Sequence, residues 1–328
     1  MTRRTYLGFL LLLVMAFSCK DEAEKSAKLK IAVIPKGTTH EFWKSVHAGA
    51  VKASRELDVE IVWKGPLKED DLKQQIDLVQ NFTAQRVSGI VVAPLNDKAL
   101  VNSVKGATRA KVPVVIFDSA LQQDHHTSFV ATDNFKAGGL AGERMVKLLD
   151  GKGKVLLLRY QEGSASTHKR EEGFLAAVKK SGGIEIVSDN KYGGATTSSA
   201  LTASESLLLA KEAPDGGVDG VFCPNESTTF GMLRALQKLK LAGKIKFIGF
   251  DASDKLVKAL EAGELDGLVL QDPFTMGYLG VKTMVQHLRG EKVDKVIDTG
   301  SRIVDKSNMN EAAIKSLLAP DLKKWLGE

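Results

Sequence analysis

The amino-acid sequence predicts an α/β protein built from two doubly wound parallel sheets. Short β-branched runs alternate with segments of helical periodicity, and several of these runs are apolar on consecutive residues. Strands buried on both faces of a parallel sheet have this continuous apolar pattern. The strand–helix units number about ten, which is more than one sheet comfortably holds. The length of 328 residues suits two domains as well, at about 150 residues for each.

The strands and helices can be assigned in chain order from these two periods. Predicted strands lie at 29–34, 60–63, 89–93, 114–117, 154–158, 184–187, 220–223, 246–250 and 267–270. Predicted helices lie at 70–85, 135–149, 170–180, 199–210, 230–239 and 256–262. In the first helix, Leu72, Ile76, Val79 and Phe82 form an apolar stripe opposite the charged residues. This alternation predicts helices on both faces of each sheet.

The N-terminus has the pattern of an export signal. Arg3 and Arg4 precede an apolar run at 7–17 that is too short to span a bilayer, and Ser18 and Cys19 follow it. A cysteine directly after a small residue resembles a bacterial lipobox, in which that cysteine becomes the lipidated N-terminus. We therefore predict a signal peptide over 1–18, lipid attachment at Cys19 and a tether over 19–28. The alternative is an ordinary signal peptide with an incidental cysteine, and both interpretations predict an exported protein.

Composition and motifs exclude several classes of function. Hydrophobic residues make up 43% and charged residues 26% of the chain, as in an ordinary globular protein. The formal net charge of +6 is not gathered in a basic block, so nucleic acid is not expected as a partner. A phosphate-binding loop, a dinucleotide motif after a strand and a nucleophile elbow are all missing from the sequence. His40 and His47 lack the spacing of a zinc pair, so we expect neither a metal nor a cofactor.

Polar side chains and an aromatic pair follow the predicted strands. In open α/β sheets, ligands bind beyond the carboxyl ends of the strands. Carboxylates and amides at this edge bind vicinal hydroxyl groups, an arginine balances their charge, and aromatic faces pack on the C–H face of a sugar. The alternative is structural: Asp or Asn after a strand is a common helix N-cap, and Phe or Trp can be a staple or core residue. The candidate ligand-binding residues are Lys36, His40, Phe42, Trp43, Asp118, His168, Arg170, Asn225, Asp251 and Gln271.

In order and spacing, several short motifs resemble those of ribose-type (type I) periplasmic sugar-binding proteins of ABC importers. They are Phe42-Trp43, the Gly-Ile-Val-Val-Ala-Pro run at 89–94, the run ending in Asp118, Arg-Glu-Glu-Gly-Phe at 170–174, Phe-Cys-Pro-Asn-Glu at 222–226, Gly-Phe-Asp at 249–251, and Gln271. The resemblance covers about residues 28–304. It implies two similar lobes, 29–132 plus 272–302 and 133–271 plus 303–328, which are joined by three crossings and close over a ligand. A monomer without a cofactor is expected.

The resemblance also implies roles for individual residues. Phe42 and Trp43 would stack on the sugar, and the polar ligands would be Asp118, Asn225, Asp251, Gln271 and the arginine of the family's loop, Arg170. The chain departs from the ribose pattern at Ser119 and His168, where the family has arginine, and at Thr39-His40, where it often has an asparagine pair. Lys36 is similar instead to a lysine of arabinose-type relatives. Pentose, hexose, sugar alcohol and modified sugar therefore stay open as ligands, and Tyr192 could add a stacking face from the second lobe.

These observations favour an exported solute-binding protein that captures a sugar and delivers it to an ABC permease, with its membrane contact made through the N-terminal lipid. Two alternatives belong to other classes. The lobes could pass a ligand to a chemoreceptor or histidine kinase, or Asp118 and Asp251 could be the carboxylate pair of a sugar-acting enzyme. The related fold of LacI-like repressors brings no DNA-binding prediction, because no helix-turn-helix precedes the first strand.

Overall fold

The computed structural model describes residues 28–327, so the predicted signal peptide, Cys19 and the tether up to residue 27 lie outside the described residues. The chain first builds most of one lobe. Each strand of this lobe up to β4 ends in a connection that leads into a helix or the next strand, as the alternating pattern predicts. The elements are β1 (Lys30–Ile34), α1 (Glu41–Leu57), β2 (Glu60–Trp63), α2 (Leu72–Ala84), β3 (Gly89–Val92), α3 (Val101–Arg109), β4 (Val114–Phe117) and β5 (Ser128–Ala131).

The chain then builds the second lobe and returns. The second lobe contains α4 (Asn134–Leu148), β6 (Gly153–Arg159), α5 (Ala165–Ser181), β7 (Ile184–Tyr192), α6 (Thr197–Ala210), a 3-10 turn (Ala213–Asp215), β8 (Gly220–Phe222), α7 (Glu226–Lys238), β9 (Lys246–Phe250), α8 (Asp254–Ala262) and β10 (Gly267–Gln271). The remaining elements are α9 (Pro273–Leu288) and β11 (Val296–Asp298) in the first lobe, then β12 (Ser301–Val304), α10 (Ala312–Leu318) and α11 (Leu322–Leu326).

The two sheets have the same strand order. The first runs β2-β1-β3-β4-β5-β11 and the second β7-β6-β8-β9-β10-β12. All pairings are parallel except that of β10 with β12, which is antiparallel. The predicted class of two doubly wound α/β lobes is confirmed. Strands β4 and β9 hold the same position in their sheets, so the Asp that follows each one lies at an equivalent place in its lobe.

Each sheet is buried on both faces, as its apolar runs predict. In the first lobe, Val33 and Val91 face the side that α1 and α9 cover, whereas Ala32 and Ile90 face the side that α2 and α3 cover. Successive residues of a strand point to opposite faces, so a strand between two helical layers must be apolar throughout. The second sheet has two such clusters as well.

In each lobe, the helix that directly follows a crossing packs closely on a neighbouring helix through glycines. A Cβ atom on Gly138 of α4 would lie 1.9 Å from the carbonyl oxygen of Arg170 in α5. A Cβ atom on Gly49 of α1 would lie 1.9 Å from the carbonyl oxygen of Phe274 in α9. These contacts bring the helices nearly backbone to backbone, and in α5 they fix the position of a candidate site residue.

The chain passes between the lobes after β5, after β10 and after β11. The expected division after residue 302 falls inside β12, which pairs with β10 over its whole length and so belongs to the second sheet. The tail differs from the expected division as well. Helix α10 packs in the second lobe through Ile314 and Leu318. Helix α11 returns to the first lobe, where the Trp325 ring lies 6.1 Å from the Phe274 ring and its carbonyl accepts a hydrogen bond from Arg55.

Candidate functional site

A cavity lies between the lobes, at the carboxyl ends of both sheets. We call it the cleft cavity. Every candidate ligand-binding residue except His168 lines it, and five further residues join them. The candidates are Lys36, His40, Phe42, Trp43, Asp118, Arg170, Asn225, Asp251 and Gln271, and the additional residues are Glu69, Tyr160, Ser166, Thr167 and Glu226. The rule of strand ends therefore brings residues of distant sequence positions to one place.

The aromatic pair lies at the start of α1. The rings of Phe42 and Trp43 meet edge to face with centroids 4.9 Å apart, and Trp43 makes a second such contact with Phe117 in the core. The Trp43 indole Nε1 donates a hydrogen bond of 2.6 Å to Glu69 Oε1. Phe42 and Trp43 thus form one wall of the cleft cavity and belong to the core of the first lobe at the same time. Both the ligand-stacking interpretation and the structural one describe part of their surroundings.

Glu69 is the centre of a buried network that the sequence did not predict. Its carboxylate pairs with His40 Nδ1 at 2.8 Å and accepts a hydrogen bond from the Tyr160 hydroxyl, which belongs to the second lobe. Burial would raise the pKa of Glu69, but the charge and hydrogen bond of His40 outweigh it and lower this pKa to about 2. Burial likewise lowers the pKa of His40 less than Glu69 raises it, and the result is about 9. The pair is therefore charged at neutral pH.

Asp118 and Lys36 form a buried ion pair after β4 and β1. The backbone of Asp118 is left-handed, with φ 60°, and its carboxylate lies 3.2 Å from Lys36 Nζ. The same ammonium group donates to the hydroxyl oxygens of Ser164 and Ser166 at the start of α5, at 3.3 and 3.0 Å. All three donors of this ammonium group thus have protein partners. In this closed arrangement Lys36 joins the two lobes.

Asp251 occupies the equivalent position in the second lobe but has different surroundings. Its backbone is also left-handed, with φ 67°, and its carboxylate accepts hydrogen bonds from Gln271 Nε2 at 2.7 Å and from the Glu226 backbone N–H at 3.2 Å. Within residues 28–327, no ion pair joins Asp251 or Glu226 to a basic side chain. Burial raises the pKa of Asp251, and it raises that of Glu226 to about 7. These two carboxylates are the acceptor-rich side of the cavity.

Arg170 and Asn225 complete the second-lobe wall. Arg170 donates from Nε to Asn134 Oδ1 at 2.8 Å and from a terminal nitrogen to the Pro224 carbonyl at 2.9 Å, and its guanidinium lies 4.0 Å from the Phe250 ring centre. Burial lowers its pKa, and the charges of Asp251 and Asp118 oppose this effect. Asn225 caps α7, where its Oδ1 accepts from the Thr228 N–H and hydroxyl. The N-cap alternative is therefore realised at Asn225, in addition to its place on the cavity wall.

The structure places two residues of the sequence-based hypothesis outside the cleft cavity. His168 lies on the outer face of α5, where its Nε2 is 3.0 Å from Glu172 and its side chain is 58% exposed. Residues two apart on a helix do not share a face, so the burial of Arg170 directs His168 to the surface. Tyr192 ends β7 on the outside, next to His168 and away from the cleft cavity.

The additional site residues had a usable signal. Tyr160 directly follows β6, and Glu69 lies in the connection after β2, so the strand-end rule includes both of them. Glu226 follows Asn225 at the start of α7, and its carboxylate crosses the cleft to accept the backbone N–H of Phe42 at 3.2 Å. That contact joins lobes far apart in sequence, and neither composition nor periodicity reports it. Among residues 28–327, no group of three or more His, Cys, Asp or Glu side chains is arranged to hold a metal, and no helix there is long and apolar enough to cross a bilayer.

Two similar α/β lobes with a polar and aromatic cavity at their junction define a two-lobed solute-binding protein. A family model described as the periplasmic binding protein domain matches residues 31–292, and the chain belongs to this family. The ribose import binding protein of Haemophilus influenzae is 27% identical over 304 residues, which are 93% of this chain and 99% of that protein. The one from Escherichia coli is 29% identical over 89% of this chain and 96% of that protein.

Solved structures give the same assignment. A carbohydrate transporter solute-binding protein from Agrobacterium radiobacter, in complex with D-arabinose, is 35% identical, with a TM-score of 0.85 over 90% of this chain and 100% of that one. An ABC transporter solute-binding protein from Agrobacterium vitis with bound D-fucose is also 35% identical, with a TM-score of 0.84 over 88% of this chain and 100% of that one. The resemblance to type I periplasmic sugar-binding proteins is confirmed.

Proposed function

We propose that this protein binds a sugar in the cleft cavity and delivers it to an ABC importer. The observation that carries the proposal is the composition of this cavity: each lobe supplies a left-handed aspartate from an equivalent strand end, with aromatic rings on one side and a guanidinium on the other. Carboxylates, an amide and an arginine suit the hydroxyl groups of a sugar, and an aromatic face suits its C–H groups. The relatives that bind ribose, D-arabinose and D-fucose support the same class of ligand.

Individual roles follow from the donors and acceptors. Asp251 and Gln271 would accept hydrogen bonds from sugar hydroxyl groups on the hinge side of the cavity. Asp118 would accept hydrogen bonds from hydroxyl groups that face the first lobe. Arg170 and Asn225 would donate, while Phe42 and Trp43 would pack on the ring. His40 and Glu69 would hold Trp43 and a ring hydroxyl in place, since Glu69 already accepts from the indole. Lys36 would act chiefly by joining the lobes, because its donors already have protein partners.

The proposed mechanism is closure of two lobes around the three crossings. The first lobe would move as residues 28–131 plus 273–298 and the second as residues 134–271 plus 301–318. A sugar that contacts both lobes at once favours the closed state, and its differential affinity for that state sets the extent of closure. Binding without chemical change is expected. We further propose that the protein is exported, anchored through lipid at Cys19, and works as a monomer.

The test is a panel of sugars in a thermal-shift assay, with calorimetry for every sugar that stabilises the protein. A sugar present at 100 times its Kd should add about 2.7 kcal/mol to the free energy of unfolding. Mass spectrometry after long incubation should recover that sugar unchanged. A conversion product would instead establish an enzyme, and a panel of pentoses, hexoses and polyols without any shift would refute the sugar ligand.

Asp251→Asn distinguishes the proposed site from a general effect of mutation. Because burial raises the pKa of Asp251 and no basic side chain within the described residues pairs with it, the amide should leave the fold intact. Sugar affinity should fall roughly 10-fold to 100-fold, since a hydrogen bond to a charged group is worth about 1.5–3 kcal/mol. Asp215→Asn, at an exposed aspartate in the 3-10 turn, is the matched control and should bind like the wild type. Unchanged affinity in Asp251→Asn would place the sugar elsewhere.

A further inference from the structure

A second cavity, larger than the cleft cavity and partly open to solvent, adjoins it on the hinge side. We call it the hinge cavity. Its walls come from α1, from the segment after β9, from the crossing between β10 and α9, and from residues 317–322 of the tail. Phe42, Asp251 and Gln271 line both cavities. A ligand that contacts these three residues from the cleft cavity therefore has the hinge cavity directly beside it.

Two buried polar atoms belong to residues that line the hinge cavity. Ser45 Oγ and Gln271 Oε1 have no hydrogen-bond partner in the part of the chain that the structure describes, and their residues are 3% and 4% exposed. Buried polar atoms in native structures nearly always have a partner. The Gln271 oxygen accepts hydrogen bonds, whereas a serine hydroxyl donates and accepts. Both atoms are suited to hydroxyl groups of a ligand.

Acidic, hydroxyl and apolar side chains share the rest of the hinge cavity: Glu41, Ser253 and Asp254 line it beside the apolar residues, and the tail forms one of its walls. Leu270 and Pro273 come from the crossing, and Leu317 and Pro320 from the tail. Leu318 is anchored in the core of the second lobe, whereas Trp325 packs against the first lobe. The tail therefore spans the same cleft that a bound ligand would span. Apolar side chains beside hydroxyl and carboxylate groups suit a sugar ring, which offers C–H groups to the former and hydroxyl groups to the latter.

We propose that the hinge cavity is a second subsite, which takes the second ring of a disaccharide or the aglycone of a glycoside. The first ring would lie in the cleft cavity, so this inference rests on the proposed function. The second ring would pack against Leu270 and Leu317 and direct a hydroxyl group toward Ser45, whereas Gln271, at the boundary of the two cavities, would accept from the first ring. The ligand class is thus longer than the single monosaccharides in the two solved relatives described above.

The test compares each monosaccharide with longer forms of itself by calorimetry on the full chain. The probes are D-arabinose, D-fucose, D-galactose and D-glucose, their α- and β-methyl glycosides, and the disaccharides lactose, melibiose, maltose and cellobiose. At least one longer probe should bind tenfold or more tightly than its parent monosaccharide. Ser45→Leu, which fills the hinge cavity and removes the hydroxyl, should abolish this gain and leave monosaccharide affinity within about threefold of the wild type.

Ser103→Leu is the matched control, because Ser103 is also a buried serine in a helix of the first lobe and lies outside both cavities. It should keep the gain. The subsite is refuted if every longer probe binds more weakly than its monosaccharide, or if Ser45→Leu retains the gain. Failure of monosaccharides and longer probes alike would refute the sugar function itself. Monosaccharide binding without any gain would refute the subsite alone.

Discussion

At the scale of single residues, the two aspartates at equivalent strand ends show how one backbone position can have two electrostatic environments. Asp118 and Asp251 share a left-handed φ, and each donates its backbone N–H to the neighbouring strand, at the carbonyl of Val130 and of Val269. Asp118 faces an ammonium group, whereas Asp251 faces an amide and a backbone N–H. The difference comes from residues outside the repeated strand, so the geometry is set by the fold and the charge by its surroundings.

The His40–Glu69 pair gives the protein a predictable dependence on pH. The pKa of His40 is raised from 6.5 to about 9, so its contribution to stability is complete below pH 6.5 and is lost as the pH rises through 9. The pKa of Glu69 is lowered to about 2, so its contribution is present above pH 4.5 and is lost as the pH falls through 2. The pKa of Glu226 is raised to about 7, so its contribution to stability is complete below pH 4.5 and is lost as the pH rises from 4.5 through 7.

Between pH 7 and 9, the change in the free energy of unfolding should therefore report on His40. Denaturant unfolding of the wild type should lose up to roughly 3 kcal/mol across pH 6.5 to 9, at about 1.4 kcal/mol per pKa unit. His40→Gln should have a nearly flat profile between pH 7 and 9. His168→Gln removes an exposed histidine from α5 and should keep the wild-type profile. An equal slope in His40→Gln would assign the pH dependence to another group.

Sequence reasoning found most of this site because its residues obey one local rule. Asp118, Asp251 and Gln271 directly follow or end buried strands, and the carboxyl ends of parallel strands meet at one edge. The prediction placed His168 in the site because the sequence did not define the start of α5. One position along a helix changes the direction of a side chain by about 100°. The cross-lobe contact of Glu226 with α1 depends on how the lobes meet, which no local pattern encodes.

At the scale of elements, the contact between α4 and α5 decides where Arg170 lies. Gly138 of α4 faces the Arg170 carbonyl, and Gly173 of α5 faces the Phe135 carbonyl at 2.0 Å from its ideal Cβ position. Glycine is required on both sides of this contact, because any Cβ would separate the helices. The position of the guanidinium therefore depends on a helix that enters the lobe directly after the first crossing.

Gly138→Ala tests this dependence. The added methyl group cannot be accommodated 1.9 Å from the Arg170 carbonyl, so we expect a loss of about 1–3 kcal/mol in stability, as in other overpacked sites. Ligand affinity should fall as well, since Arg170 moves with its backbone. Gly139→Ala, one residue further on the same helix, has no atom within 4 Å of the new Cβ. It should be stabilising by roughly 0.5–1 kcal/mol through helix propensity, and equal behaviour of the two variants would contradict the packing argument.

The elements that sequence analysis missed have physical reasons. Strands β5, β11 and β12 contain polar residues (Ser128, Asp298, Ser301 and Arg302), which leave an apolar run of only two or three residues in each. Helix α1 was missed because Phe42 and Trp43, which follow the first strand, were considered as ligand contacts and not as part of the apolar face of a helix. Strands β2, β4 and β9 were predicted with their observed bounds, because their apolar runs are bordered by charged or turn-forming residues.

At the scale of the whole molecule, direct contacts between the lobes hold the closed arrangement. Tyr160 and Gln161 of the second lobe donate to the side chain and backbone of Glu69. Lys36 reaches α5, and Glu226 accepts from the start of α1. These contacts must break when the lobes separate. They therefore add to the free energy of closure that a ligand would otherwise supply alone.

Tyr160→Phe should shift the protein toward an open state. The loss of a hydrogen bond to a charged group is worth about 1.5–3 kcal/mol, so the closed fraction without ligand should fall and the Kd for a bound sugar should rise roughly 10-fold or more. Calorimetry gives the Kd and small-angle scattering the radius of gyration. Tyr278→Phe is the matched control, because its hydroxyl interacts with Glu56 inside the first lobe. An equal rise in Kd in both variants would contradict the prediction, because Tyr278→Phe leaves the contacts between the lobes intact.

The path of the tail has a practical consequence for measuring closure in living cells. The first described residue, Lys28, pairs with Asp58 in the first lobe at 2.6 Å, and α11 ends against α1 of the same lobe. Fluorescent proteins attached near residues 28 and 327 would both move with the first lobe. The energy transfer between them would therefore hardly change when the lobes move. A sensor needs one fluorophore inserted in the second lobe, for which the exposed residues Asp215 and Gly216 at the end of the 3-10 turn offer a suitable place.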